Sequence, residues 1–285
     1  MTVKKEIAIA SGKGGTGKTT VAVNIAACWD DPVILADCDV EEPNAHLFIQ
    51  PTWDRKKPVT VLNPEFNMDL CDGTGACRDV CRYNAIIVLG KSPLLFPELC
   101  HSCGGCYRAC PNNAITEVPR EIGYLECGHR DKINFIHGRM NIGEAKSPPL
   151  IKAVRTAARE QGENLVIIDA PPGTTCPVIE ATRKVDYLVL VTEPTPFGLS
   201  DLKLARETAQ IMDIRHGVIV NRSDLGNNDV FDYCRQENIP ILASIPFEKK
   251  AAQLYSQSKI LVKENSHYQA LFRNLFQQIL KDMEQ

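Results

Sequence analysis

Ser11-Gly12-Lys13-Gly14-Gly15-Thr16-Gly17-Lys18-Thr19-Thr20 follows a short apolar stretch, residues 5–10, and opens the apolar run VAVNIAACW. The stretch fits G-x₄-G-K-[ST] between a strand and a helix, the context in which that pattern makes a phosphate-binding loop. Gly12, Gly14, Gly15 and Gly17 let backbone N–H groups, with those of Thr16 and Thr20, converge on phosphates. The positive end of the following helix adds to that field. Lys18 is expected to reach the β- and γ-phosphates, and the Thr19 hydroxyl to ligate Mg²⁺.

Strand and helix patterns alternate over most of the chain. Strands are predicted near 5–10, 33–37, 165–169, 186–192, 216–221 and 240–245. Helices are predicted near 18–29, 148–161, 177–183, 199–212, 228–237 and 249–257. Short apolar strands joined by helical crossovers predict a parallel sheet with helices on both faces, an α/β fold. Ligands then bind beyond the carboxyl ends of the strands. The nucleotide motifs all fall at such ends.

A second signal interrupts this pattern. Cys100, Cys103, Cys106, Cys110 and Pro111 form C-x₂-C-x₂-C-x₃-C-P, the spacing of bacterial ferredoxins, in which the fourth Cys ligates a second cluster. An imperfect copy precedes it: Cys71 aligns with Cys100, Cys77 with Cys106 and Cys81 with Cys110, at a constant offset of 29 residues. Thr74 stands where Cys103 stands, and Arg82 where Pro111 stands. Crossed ligation assigns Cys100, Cys103, Cys106 and Cys81 to a [4Fe–4S] cluster. It leaves Cys71, Cys77 and Cys110 for a second cluster, a [3Fe–4S] or a labile [4Fe–4S] with Thr74 at the missing corner. Cys127 is a remote fourth-ligand candidate. The insert is predicted over 63–118, within an ATPase domain formed by 1–62 and 119–285. Prolines near its edges disfavour continuing helix or central strand. Residues 120–146 read as two strands that return to the main sheet or cover its edge.

KGGTGKTT, residues 13–20, resembles the deviant phosphate loop of the MinD/ParA ATPase family, which also holds the nitrogenase iron protein. The resemblance covers almost the whole chain and is to the MinD-superfamily branch with an inserted ferredoxin domain. It implies ATP and Mg²⁺ as ligands and an ATP-sandwich dimer, homodimeric or with a similar ATPase, in which Lys13 reaches the partner's nucleotide. Asp37-Cys38-Asp39 corresponds to the first switch, in which Asp39 matches the residue that positions the attacking water. Asp169, ending LVIID, corresponds to the acid that holds Mg²⁺ through water, with Pro171-Pro172-Gly173 as the second switch. Asn221 matches the residue that reads the adenine edge, and Pro246 a loop beside the base. The function implied is an ATPase coupling dimer switching to electron transfer or cluster assembly, with a redox or cluster-accepting partner. The alternative is a cluster carrier whose partner binding ATP only regulates.

Composition sets limits. The 285 residues carry a formal net charge of −3 and no basic block, so nucleic acid is a poor default partner. No stretch approaches ~20 apolar residues, so no spanning helix is expected. The first residues lack a signal-peptide core. Twelve Cys, seven in cluster spacing, point to a reducing cytoplasm rather than a disulfide scaffold. Residues 266–283 carry apolar residues at helical spacing and no basic face, so they read as a core-packing helix, not a membrane anchor. Cys28, Cys176 and Cys234 read as buried structural cysteines, and Cys38 as small-residue packing.

Overall fold

The computed structural model describes residues 5–284; residues 1–4, part of the segment read for a leader, lie outside it. The chain runs β1 (Lys5–Ala10), α1 (Lys18–Cys28), β2 (Val33–Asp37), α2 (Ala45–Ile49) and β3 (Thr52–Phe66). There follow α3 (Ala76–Asp79), β4 (Ile86–Leu89), β5 (Ser92–Leu95), α4 (Gly105–Ala109), β6 (Ile115–Arg130) and β7 (Ile133–Met140). Next come α5 (Pro148–Glu160), β8 (Leu165–Asp169), α6 (Cys176–Thr182), β9 (Tyr187–Thr192), α7 (Pro196–Ile211) and β10 (His216–Asn221). The chain closes with α8 (Asp229–Gln236), β11 (Ile241–Ile245), α9 (Lys249–Ser256), α10 (Leu261–Glu264) and α11 (Ser266–Met283).

Among the described residues one nine-stranded sheet runs β11-β10-β9-β1-β8-β2-β7-β6-β3. It is parallel from β11 through β7; β6 pairs antiparallel with β7, and β3 antiparallel with β6. The strands alternate their side chains between two apolar layers. Ile7 and Ile9 pack with α1 and α11, whereas Ala8 and Ala10 face the layer built on α5 and α7. This two-sided burial explains why β1, β2, β8 and β9 are apolar almost throughout. Helix α11 drives Tyr268, Phe272, Leu275, Phe276 and Ile279 into the first layer. At about 1.5–3 kcal/mol per large apolar side chain, its burial far outweighs its intrinsic helix propensity. No helix among the described residues is long and apolar enough to cross a membrane.

The strand over 52–61 was not foreseen. It is polar and carries Lys56, Lys57 and Pro58, because β3 is the outer edge of the sheet, where charge and proline guard against stray pairing. The edge prolines of the expected insert lie inside strands, but in strands that are not central. Pro64 pairs with Glu117, and Pro119 with Leu62. There β3 and β6 form a two-stranded ribbon beyond the main sheet, since β6 meets β7 only over Gly123–Arg130. Each strand then has one free side, which a proline needs. The register slips between Val59 and Thr60, leaving Ile122 as the extra residue of a bulge at the root of the ribbon. At its tip sit the β4–β5 hairpin and a small core of Cys77, Ile86 and Ile115.

Candidate functional site

The glycine-rich loop passes from β1 into α1. Gly15 and Gly17 take left-handed φ of 77° and 101°, which a residue with a Cβ resists. At Gly17 a Cβ would also stand 2.6 Å from the Asn221 amide nitrogen. At Gly12 a Cβ would collide with Asp201 of α7, 2.5 Å away. The loop is therefore pressed between α1, β10 and α7. Lys18 is buried, which pulls its ammonium below its ordinary value; Asp169, Asp39 and Asp37 oppose the shift. The Thr16 hydroxyl is buried with no hydrogen-bond partner.

Three acids close around Lys18. Register sets Asp37, the last residue of β2, beside Asp169, the last of β8. Asp37 accepts the backbone N–H groups of Asp39 (3.0 Å), Asn44 and Ala45 (3.1 Å each), so it fixes the turn after β2 and the start of α2. Asp169 is buried, and neither carboxylate oxygen completes a hydrogen bond. Burial pushes its pKa up to about 7, with the nearby Thr19 hydroxyl and Lys18 pulling the other way. Asp39 is half-buried, and burial raises it to about 6 against the pull of Lys18. A buried carboxylate beside a lysine and the Thr19 hydroxyl suits a hydrated divalent cation on a phosphate chain. The segment after β8 is tied to β1 and the loop: Ala170 N–H donates to Ile9 O (3.0 Å), and Gly173 N–H to Ser11 O (3.0 Å).

Lys13 pairs with Glu193 at 3.1 Å, and Glu193 also accepts from Arg222 at 2.7 Å. Glu193 was missed in the sequence, although it follows the end of β9 just as Asp169 ends β8. Asn221 donates its amide to Thr16 O at 2.7 Å and accepts from the Arg222 N–H, so it braces the phosphate loop. Pro246 is exposed, next to Ile245, whose carbonyl accepts from Ser223 N–H at 3.0 Å. The loops bearing Asn221 and Pro246 are thus joined.

The ribbon tip gathers the seven cysteines into two hollows. Cys81, Cys100, Cys103 and Cys106 line one, which as it stands has a cavity volume of about 20 Å³, room for a water. Cys71, Cys77, Cys110 and Thr74 line the other, also about 20 Å³. Each hollow draws cysteines from both runs, and the one with three thiols is as large as the one with four. Among the described residues no three His, Cys, Asp or Glu side chains are close enough together to hold a metal ion as they stand. Exposed Leu62, Val80 and Tyr83 rim the four-thiol hollow, and Tyr83 stacks on His101 with ring centroids 3.6 Å apart. Cys127 lines neither hollow: it pairs opposite Ile136 in the main sheet and is buried in the body core. Cys28, Cys38 and Cys234 are buried as expected. Cys176 is not: as the first residue of α6 it is exposed, facing a cleft shared with Cys100.

A phosphate-binding loop closed by strand-terminal acids on a mostly parallel sheet defines a P-loop nucleotide hydrolase. The chain belongs to the CobQ/CobB/MinD/ParA nucleotide-binding domain family, whose model matches residues 7–262. It is an ATPase of the MinD/ParA type. An uncharacterized protein of Methanocaldococcus jannaschii is 31% identical over 281 residues, covering 96% of each chain. The septum site-determining protein MinD of Pyrococcus horikoshii, solved with Mg-ADP, shares the fold at TM-score 0.60 and 18% identity, over 96% of this chain and 95% of that one. A ParA family ATPase of Chlorobium tepidum does so at TM-score 0.60 and 16% identity, over 98% and 99%.

Proposed function

We propose that this ATPase couples its nucleotide cycle to iron–sulfur clusters held at the ribbon tip, passing electrons or a cluster to a partner protein. The observation that carries this reading is the division of seven cysteines between two hollows of similar size, each fed by both runs. Four thiols around one hollow match the donor set of a [4Fe–4S] cluster. Three thiols and Thr74 around the other match a cluster with one labile corner. When bound, such clusters supply low-potential single-electron transfer. Residues 63–118 then act as a ferredoxin-like domain inserted into the ATPase body.

In the body, Lys18 neutralises phosphate charge, and the backbone N–H groups of the loop orient it. Thr19 and Asp169 would hold Mg²⁺, Thr19 directly and Asp169 through water. Asp39 orients the attacking water, and Asn221 and Pro246 flank the base. The Lys13–Glu193 pair keeps the early lysine on its own subunit; in a nucleotide-bound dimer we infer that Lys13 exchanges Glu193 for the partner's phosphates. The exposed Leu62, Val80 and Tyr83 offer an apolar surface beside the four-thiol hollow, suited to a redox or cluster-accepting protein.

Anaerobic isolation with iron and sulfide counting, electron paramagnetic resonance and ATPase assay tests this. Wild type should hold more iron and sulfide than one cluster supplies and hydrolyse ATP. Lys18→Ala should keep the clusters and lose hydrolysis. Zinc in place of iron and sulfide would end the cluster reading and leave the ATPase standing.

A further inference from the structure

The segment between β7 and α5, residues 141–147, links the first switch to the four-thiol hollow. Val40, next to Asp39, accepts the Met140 N–H at 2.9 Å, where β7 ends. Asn141 N–H then donates to Ile122 O at 3.0 Å, at the bulge. The Glu144 side chain is buried, receives Arg120 at 2.5 Å, and accepts the Lys146 N–H at 3.3 Å. From that anchored turn, Lys146 reaches across and donates to Glu98 O at 2.6 Å and Cys100 O at 2.7 Å. A cleft of about 330 Å³ lies here between body and tip. Its walls include Glu41, just past the first switch, and Cys176, just past the second.

We propose that Lys146 is the positioning residue through which the first switch acts on the Cys100 end of the cluster loop. The inference rests on the iron–sulfur reading above and names the route of the coupling. Two backbone acceptors held by one ammonium fix the Cys100 backbone relative to the body. The ammonium also brings positive charge beside a thiolate ligand, which favours the more negative, reduced state of the centre it binds. Movement of Val40 displaces Met140 and the turn that carries Lys146, and so changes both effects.

The test uses the full chain, isolated anaerobically, with Lys146→Met and Lys146→Arg. Each is assayed for iron and sulfide, then titrated potentiometrically by electron paramagnetic resonance without nucleotide, with Mg-ADP, and with a non-hydrolysable Mg-ATP analogue. Lys146→Met should keep wild-type iron and sulfide, show a lower midpoint potential, and lose the nucleotide-induced change seen in wild type. Lys146→Arg should restore both in part. If Lys146→Met sheds iron, Lys146→Gln, which keeps a donor without the charge, carries the comparison. A loaded variant with wild-type potential and nucleotide response would overturn the proposal, as would a loaded wild type with no nucleotide response. Wild type without iron and sulfide would overturn the cluster reading itself, and this inference with it.

Discussion

At Asp169 the requirements of the site oppose those of the fold. Its carboxylate is buried without a hydrogen bond, and its pKa and that of Asp39 are raised to about 7 and about 6. The sign follows. A folded-state pKa above the unfolded value of 3.8 adds stability at low pH that is lost as pH rises through the folded value. The ligand-free protein should therefore lose stability between about pH 4 and pH 7 through these groups, while Mg-nucleotide binding, which needs them ionised, strengthens over the upper part of that range. Asp169→Asn removes the conflict. It should raise ligand-free stability by about 1–3 kcal/mol, flatten its pH dependence and abolish Mg-dependent hydrolysis; thermal melts across pH and an ATPase assay check this. A variant that melts below wild type near neutral pH would contradict it. The gathering of Lys18, Thr19, Asp39 and Asp169 was legible in the sequence because each sits in a short motif at or just after a strand. Glu193 and Lys146 were not, since their partners, Lys13 and the Cys100 carbonyl, lie far away along the chain.

Elements buried on both faces were legible for a related reason. VILAD and LVIID leave no polar position for solvent, so continuous apolar runs marked β2 and β8. Strand β3 was hidden because it is an edge whose outward residues are charged; only its pairing with β6, itself more than 45 residues further along the chain, makes it a strand. Helix α11 was read from its period, and its burial gives a direct check. Phe272 is among the largest fully buried side chains. Phe272→Ala should cost about 3–5 kcal/mol by urea denaturation, against little change in cluster content if the tip folds on its own ligands. A cost below ~1 kcal/mol would mean that α11 is not part of the cooperative core.

Across the whole molecule, body and tip meet through the β3–β6 ribbon. Phe66 pairs with Ile115, and Asn67 N–H donates to Ala114 O at 2.8 Å, so the ribbon closes on itself before the cysteines begin. Replacing 67–114 by an Asn-Gly turn, the tightest link for such a ribbon, should leave a soluble ATPase that binds no iron. Hydrolysis and iron content of the purified protein decide it, and loss of nucleotide binding would mean that the tip is needed to fold the body. The bulge at Ile122 sets how the two parts communicate. Beyond it the free ribbon on the β3 side spans residues 60–66, ~20 Å at ~3.3 Å per residue. With the bulge as pivot, a tilt of about a tenth of a radian sweeps the far end of that lever through ~2 Å, at the three-thiol hollow that Phe66 and Ile115 line, while Cys100, beside Val61 and Ile122, stays near the pivot. A motion too small to notice among the phosphates would thus arrive amplified at the thiols.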